Sequence, residues 1–208
     1  MSLLLLPPWR VTLRRLPQVV FGLWLFGTGI AMMVAADLGL PPWDVFHQGV
    51  AATAGVSLGT VIIVTGLVLL VAFVPLRERL GPGTILNAVL IGIAVDTTLG
   101  WLQRPDALWV RVALCVAGPA VVGLASGLYI GGGLGPGPRD GIMTGLGRRG
   151  FRIWKVRTAL ELSVLLIGVA LGGPIGIGTA WFALSIGPWV QLFLPWFERS
   201  PASDPAGD

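Results

Sequence analysis

The 208 residues carry a net charge of +4, a mean hydropathy of +0.84, and only 12% charged side chains against 54% hydrophobic ones. Soluble domains carry about 25% charged residues, and a water-soluble fold this apolar would expose patches that aggregate. The composition therefore excludes a soluble globular domain and fits several membrane spans of about 20 residues each; the basic excess is what topology requires and does not point to nucleic acid.

The chain opens with a hydrophilic flank, residues 1–16, holding Arg10, Arg14 and Arg15. The leucines at 3–6 are too few for a signal-peptide apolar region, and Pro7 and Pro8 follow at once. Apolar runs then fall at 19–36, 58–76, 84–102, 108–130, 158–172 and 178–197, before a hydrophilic tail at 198–208. The fifth run is short and contains Glu161, but it extends backwards through Ile153 and Trp154. Glycine and proline inside such runs are tolerated in lipid, where neighbouring helices re-satisfy the backbone. After the first and fourth runs, Pro42-Trp43-Asp44 and Pro138-Arg139-Asp140 read as helix starts, with proline at the first helical position and aspartate in the first turn. Each follows a glycine-rich break and predicts a short helix, over 42–53 and 138–146.

Six spans with both termini cytoplasmic put twelve of the fourteen basic residues inside, leaving only Arg104 and Arg111 outside. That is a strong positive-inside pattern, and adding or losing one span would scramble it. Most tryptophans lie near proposed span ends, as an interfacial belt does. The single cysteine, Cys115, sits in an apolar run and has no partner for a disulfide or metal site.

The chain repeats itself. Residues 38–49 and 134–145 match at five of twelve positions, including Pro42/Pro138 and Asp44/Asp140. Residues 81–96 and 176–191 match at seven of sixteen, with Gly81, Gly83 and Thr84 answering Gly176, Gly178 and Thr179. Residues 17–103 and 104–197 thus form two membrane repeats of three spans each. Three is odd, so the second half enters from the opposite side, giving an inverted-topology repeat, a common plan for secondary transporters. The expected fold is all-α, a six-helix polytopic membrane protein in which each repeat has a short helix after its first span.

Several polar residues are candidates for binding a solute or ion. Asp44 and Asp140 either cap surface helices or converge near a pseudo-twofold axis; Arg139 replaces Trp43 and makes the second site friendlier to anions. Glu161 and Asp96 lie in apolar runs, where ionisable groups are functional candidates by default. Glu161 is also placed to pair with Arg157 one turn away, and Asp96 is near a span end. His47 is the only histidine and either relays a proton or is an interfacial bystander. Asn87, Ser185 and Gln191 suit inter-helix hydrogen bonds, and Gly123, Gly127 and Gly131 form a small-residue face for close helix packing. No hydrolase, P-loop, or Cys/His signature appears, so neither an enzyme, a cofactor nor a metal is expected.

The segments from Gly29 to Gly49 and from Gly133 to Leu146, with their Trp-Asp and Pro-Arg-Asp blocks, resemble the YczE-like group of bacterial membrane proteins (YczE/YyaS/YitT). The resemblance spans about residues 16–197 and implies a multi-pass bacterial plasma-membrane protein without catalytic residues to carry over. The expected function is a small-solute or ion transporter or channel. The alternative is a non-transporting partner or regulator of a cytosolic biosynthetic system, resting on the basic stretch 139–157. Expected partners are membrane lipid, a small solute or ion, and a second copy of the chain.

Overall fold

The computed structural model describes residues 8–198; residues 1–7 of the flank and 199–208 of the tail, Arg199 included, lie outside the described residues. Among the described residues the chain forms helices and no strand: α1 (Trp9–Ala36), α2 (Pro42–Ala54), α3 (Leu58–Val71), α4 (Phe73–Leu76), α5 (Pro82–Leu99), α6 (Leu108–Gly131), α7 (Pro138–Arg148), α8 (Ile153–Ala170) and α9 (Ile177–Phe197). Five stretches are long and apolar enough to cross a membrane: α1, the run through α3 and α4, α5, α6 and α9. At 18 residues α8 equals α5 in length, but Lys155, Arg157 and Glu161 make it more charged. The two short helices begin at Pro42 and Pro138 as their sequences predict. With 13 and 11 residues, they reach only about 20 Å at 1.5 Å per residue, too short to span a bilayer. The first helix starts well before its apolar run, because the arginine-rich turn is helix-favouring and continues through Pro17.

Small residues set the packing. At the centre α1 crosses α6, where a Cβ at Gly29 would lie 2.7 Å from Val122 and one at Gly118 would lie 2.6 Å from Met33. On one side α5 packs on α1 through Gly27 against Ala94. On the other, α9 packs on α6, with Gly123, Gly127 and Gly131 against Trp189, Phe193 and Phe197. The small-residue face read from the sequence is therefore the α6–α9 seam. Next, α3 lies along α5, its Gly59 against Gly92 and its Gly66 against Ala88. The short helix α2 packs on α8 through Gly49 and Gly168, and α7 sits under α3 and α4 with Gly141 against Phe73. By contrast, α8 and α9 hardly touch. Val19, Leu23, Ile30, Ile62, Ile91 and Val95 form the buried core. Leu67, Val68, Val112, Leu166 and Leu184 point outward, as side chains facing lipid do.

The glycine breaks lock the halves to each other. Gly39 and Gly135 have φ of 110° and 123°, left-handed backbone that a side chain would strain. Beside them the Leu38 carbonyl accepts from Gly178 N (2.8 Å), and the Leu134 carbonyl accepts from Gly83 N (2.9 Å). Thr84 Oγ1 accepts from Gly81 N, and Thr179 Oγ1 from Gly176 N, both at 3.2 Å. Each half thus holds the break of the other.

Candidate functional site

A central cavity of about 270 Å³ lies where the two short helices meet the long ones. Asp44 and His47 reach it from α2, Arg139 and Asp140 from α7, Arg157 and Glu161 from α8. Thr65, Asn87, Ser126 and Tyr129 add polar groups from the long helices. Its remaining walls are apolar, with Phe26, Ile30, Ile62, Ile91, Val122 and Phe182. A mostly apolar pocket with a few convergent polar groups is the usual form of a small-molecule site.

Within it the charges are unevenly matched. Asp44 and His47 are buried, and His47 Nδ1 lies 3.0 Å from Asp44 Oδ1. A carboxylate in its ionised form accepts only, so the bond between them would run from Nδ1–H to Oδ1. The other ring nitrogen, Nε2, is buried with no hydrogen-bond partner among the described residues. Glu161 Oε1 takes its bond from Arg157 Nε at 2.9 Å. Arg139 stacks over the Trp43 ring at 4.4 Å from its centroid, joining the two positions that the repeat equates. Asp44, Asp140 and Glu161 all act electrostatically on Arg139, yet none approaches to ion-pair distance. Asp140 likewise has neither a hydrogen bond nor an ion pair among the described residues. Arg139 is half-buried and Asp140 exposed, and both line the cavity.

Of the residues singled out in the sequence, Asp44, His47, Arg139, Asp140 and Glu161 come together here. Asp96 does not. Its carboxylate accepts from Gly59 N at 2.7 Å and Ser57 Oγ at 2.6 Å, tying α5 to the start of α3. Asp44 bonds His47 and caps no backbone. Ser185 is buried with no partner for its hydroxyl among the described residues. Tyr129, Thr65 and Ser126 were missed; Tyr129 is the only tyrosine of the chain and lies inside the small-residue run of α6, a mixture that is a usable signal.

The chain is similar to known proteins over nearly its whole length. The model of DUF6198, a family of unknown function, matches residues 13–195. An uncharacterized protein of Haemophilus influenzae is 37% identical over 194 residues, 93% of this chain and 89% of its own. The uncharacterized membrane protein YczE of Bacillus subtilis is 33% identical over 84% of this chain and 82% of its own. The uncharacterized protein YyaS of Bacillus subtilis is 24% identical over 86% and 91%. No solved structure matches. The chain therefore belongs to the DUF6198 family, the YczE-like membrane proteins.

Proposed function

We propose that this protein is a small-solute transporter of the bacterial plasma membrane, with six spans arranged as two inverted three-helix repeats and both termini cytoplasmic. In this reading α8 is the sixth span, its Arg157 and Glu161 turned to the interior instead of to lipid. The reciprocal bonds at Leu38 and Leu134 and the stacking of Arg139 on Trp43 support a pseudo-twofold axis through the site. The observation that carries the function is the cavity itself, which joins Asp44 and Asp140, one from each repeat, with Arg139 between them in electrostatic reach. Such broken helices at a repeat interface are where secondary transporters bind their cargo.

The chemistry here is recognition. Arg139 holds an anionic group, Asp140 a cation or a proton donor, and the Asp44–His47 pair fixes a polar acceptor. A regulatory role for the basic loop is the weaker reading, because Arg148 pairs with Glu78 and Arg149 bonds the Pro75 carbonyl. The test is a thermal-shift screen of amino acids, carboxylates and phosphoesters on the purified protein, followed by flux of each hit in proteoliposomes. A ligand at 100 times its Kd raises stability by about 2.7 kcal/mol. Hits should be lost in Arg139→Gln and should cross the membrane only with the wild type. Flux unchanged by both Arg139→Gln and Asp140→Asn overturns the proposal.

A further inference from the structure

The seam between α3 and α5 is closed by glycines. A Cβ on Gly59 would overlap the Gly92 carbonyl, and a Cβ on Gly66 would lie 3.1 Å from Ala88 Cα. In the second half, α8 begins 95 residues after α3 and α9 begins 95 residues after α5. That spacing puts Trp154 where Gly59 stands, Glu161 where Gly66 stands, and Ala183 and Gly187 where Ala88 and Gly92 stand. An indole and a carboxylate cannot enter a crossing built for hydrogen atoms. Accordingly α8 stands off α9, and a Cβ on Gly187 would meet nothing within 4 Å.

The space this leaves is a groove of about 660 Å³, walled by Leu162, Leu165, Ile175 and Ala180. It shares Pro42, Glu161 and Ala183 with the central cavity, so the two adjoin along these three residues. We propose that this groove is a lateral opening to the bilayer, and that the site takes a membrane amphiphile whose head carries one anionic and one cationic group.

The proposal rests on the transport reading of the cavity and adds the cargo. An apolar side path serves an acyl chain and is of no use to a solute arriving from water. The central cavity has room for a head group, and the chain runs out between α8 and α9. The charges select the head. Asp44 is held by its hydrogen bond with His47 and Glu161 by its ion pair with Arg157, which leaves Arg139 and Asp140, neighbours on α7, with neither kind of partner among the described residues. A head with both signs gives each of them a charge-assisted partner.

Native mass spectrometry of the protein in neutral maltoside micelles tests this. The probes are phosphatidylethanolamine, phosphatidylglycerol, and glycerophosphoethanolamine, which is the first head without its chains. One phosphatidylethanolamine should be retained per chain, at least tenfold over phosphatidylglycerol. Arg139→Gln and Asp140→Asn should each lower its occupancy by about tenfold or more, the loss expected for one charge-assisted bond. Ala183→Phe should block retention while leaving the melting temperature intact; if it fails to fold, Ala180→Phe, which lines the groove alone, takes its place. Equal binding of the chain-free head overturns the lateral path and leaves the transport reading standing. Equal retention of phosphatidylglycerol, or a dimer in which Leu184→Cys cross-links to its copy, overturns the proposal as well. If no probe or screened solute binds, the transport reading falls with it.

Discussion

The equivalent glycines of α5 and α9 are predicted to respond to the same substitution differently, Gly92 with a large loss of stability and Gly187 with little change. In Gly92→Ala the new methyl overlaps the Gly59 carbonyl and lies 2.6 Å from Ile63 Cγ1 and 3.1 Å from its Cδ1. Carbon atoms pack best at about 3.5–4.0 Å. The Ile63 side chain can rotate away, but the Gly59 carbonyl is backbone, so α3 must lift off α5. Overpacking of this kind costs about 1–3 kcal/mol, and the backbone clash places Gly92→Ala at the upper end. In Gly187→Ala the methyl meets nothing within 4 Å beyond its chain neighbours, and the gain of about 0.5–1 kcal/mol from replacing a mid-helix glycine is offset by the strain of a Cβ before Pro188. The two variants should therefore differ by about 2–3 kcal/mol in unfolding free energy. Thermal and dodecyl-sulfate unfolding in mild micelles measures this directly. Should the two variants unfold alike, or Gly187→Ala be the less stable, α8 packs on α9 after all and the lateral opening is wrong.

Asp96→Asn should cost about 1.5–3 kcal/mol through its short bonds to Ser57 and Gly59, yet leave ligand binding at the distant cavity unchanged in a thermal-shift assay. Glu78 is buried, pairs with Arg148 at 2.6 Å and accepts from Thr144 at 2.8 Å. Glu78→Gln should lower stability by a similar 1.5–3 kcal/mol and raise the accessibility of cysteines placed in α7. The Arg157–Glu161 pair is partly exposed, so Glu161→Gln should cost under about 1 kcal/mol; a larger loss of ligand binding, not restored in the double variant with Arg157→Gln, would assign Glu161 to the cargo. Cysteine labelling in a background lacking Cys115 should find position 50 external and position 149 internal, and external labelling at 149 refutes the topology.

What the sequence disclosed depended on how local the cause was. The starts of α2 and α7 were legible because proline at the first helical position and a preceding glycine are nearest-neighbour signals. The Arg157–Glu161 pair follows from one helical turn. The Asp44–His47 pair has comparable spacing and was legible in principle. The convergence of Tyr129, Asn87 and Ser126 was not, because it depends on where α6 crosses α1 and how α5 lies beside them, and both are set by glycine contacts between distant segments. Asp96 shows the converse: an ionisable residue in an apolar run is a sound functional candidate, but only the approach of the α3 N-terminus reveals its structural use. The standing-off of α8 is written in the sequence as Trp154 and Glu161, yet it becomes meaningful only once the α3–α5 crossing shows what the corresponding glycines do.

The reciprocal carbonyl bonds bear on how the chain is made. Among the described residues the Leu38 carbonyl finds its backbone donor in Gly178, which leaves the ribosome after most of the chain has been synthesised. Until then that carbonyl lacks its partner, and a buried backbone group left unsatisfied costs about 1–3 kcal/mol. The nascent first half therefore has reason to keep its break hydrated at the membrane surface. Arrival of the ninth helix then supplies the donor and closes the break. A chain terminated before residue 178 inserts its early helices but stays unsealed, and should be cleared by membrane quality control faster than one lacking only the tail.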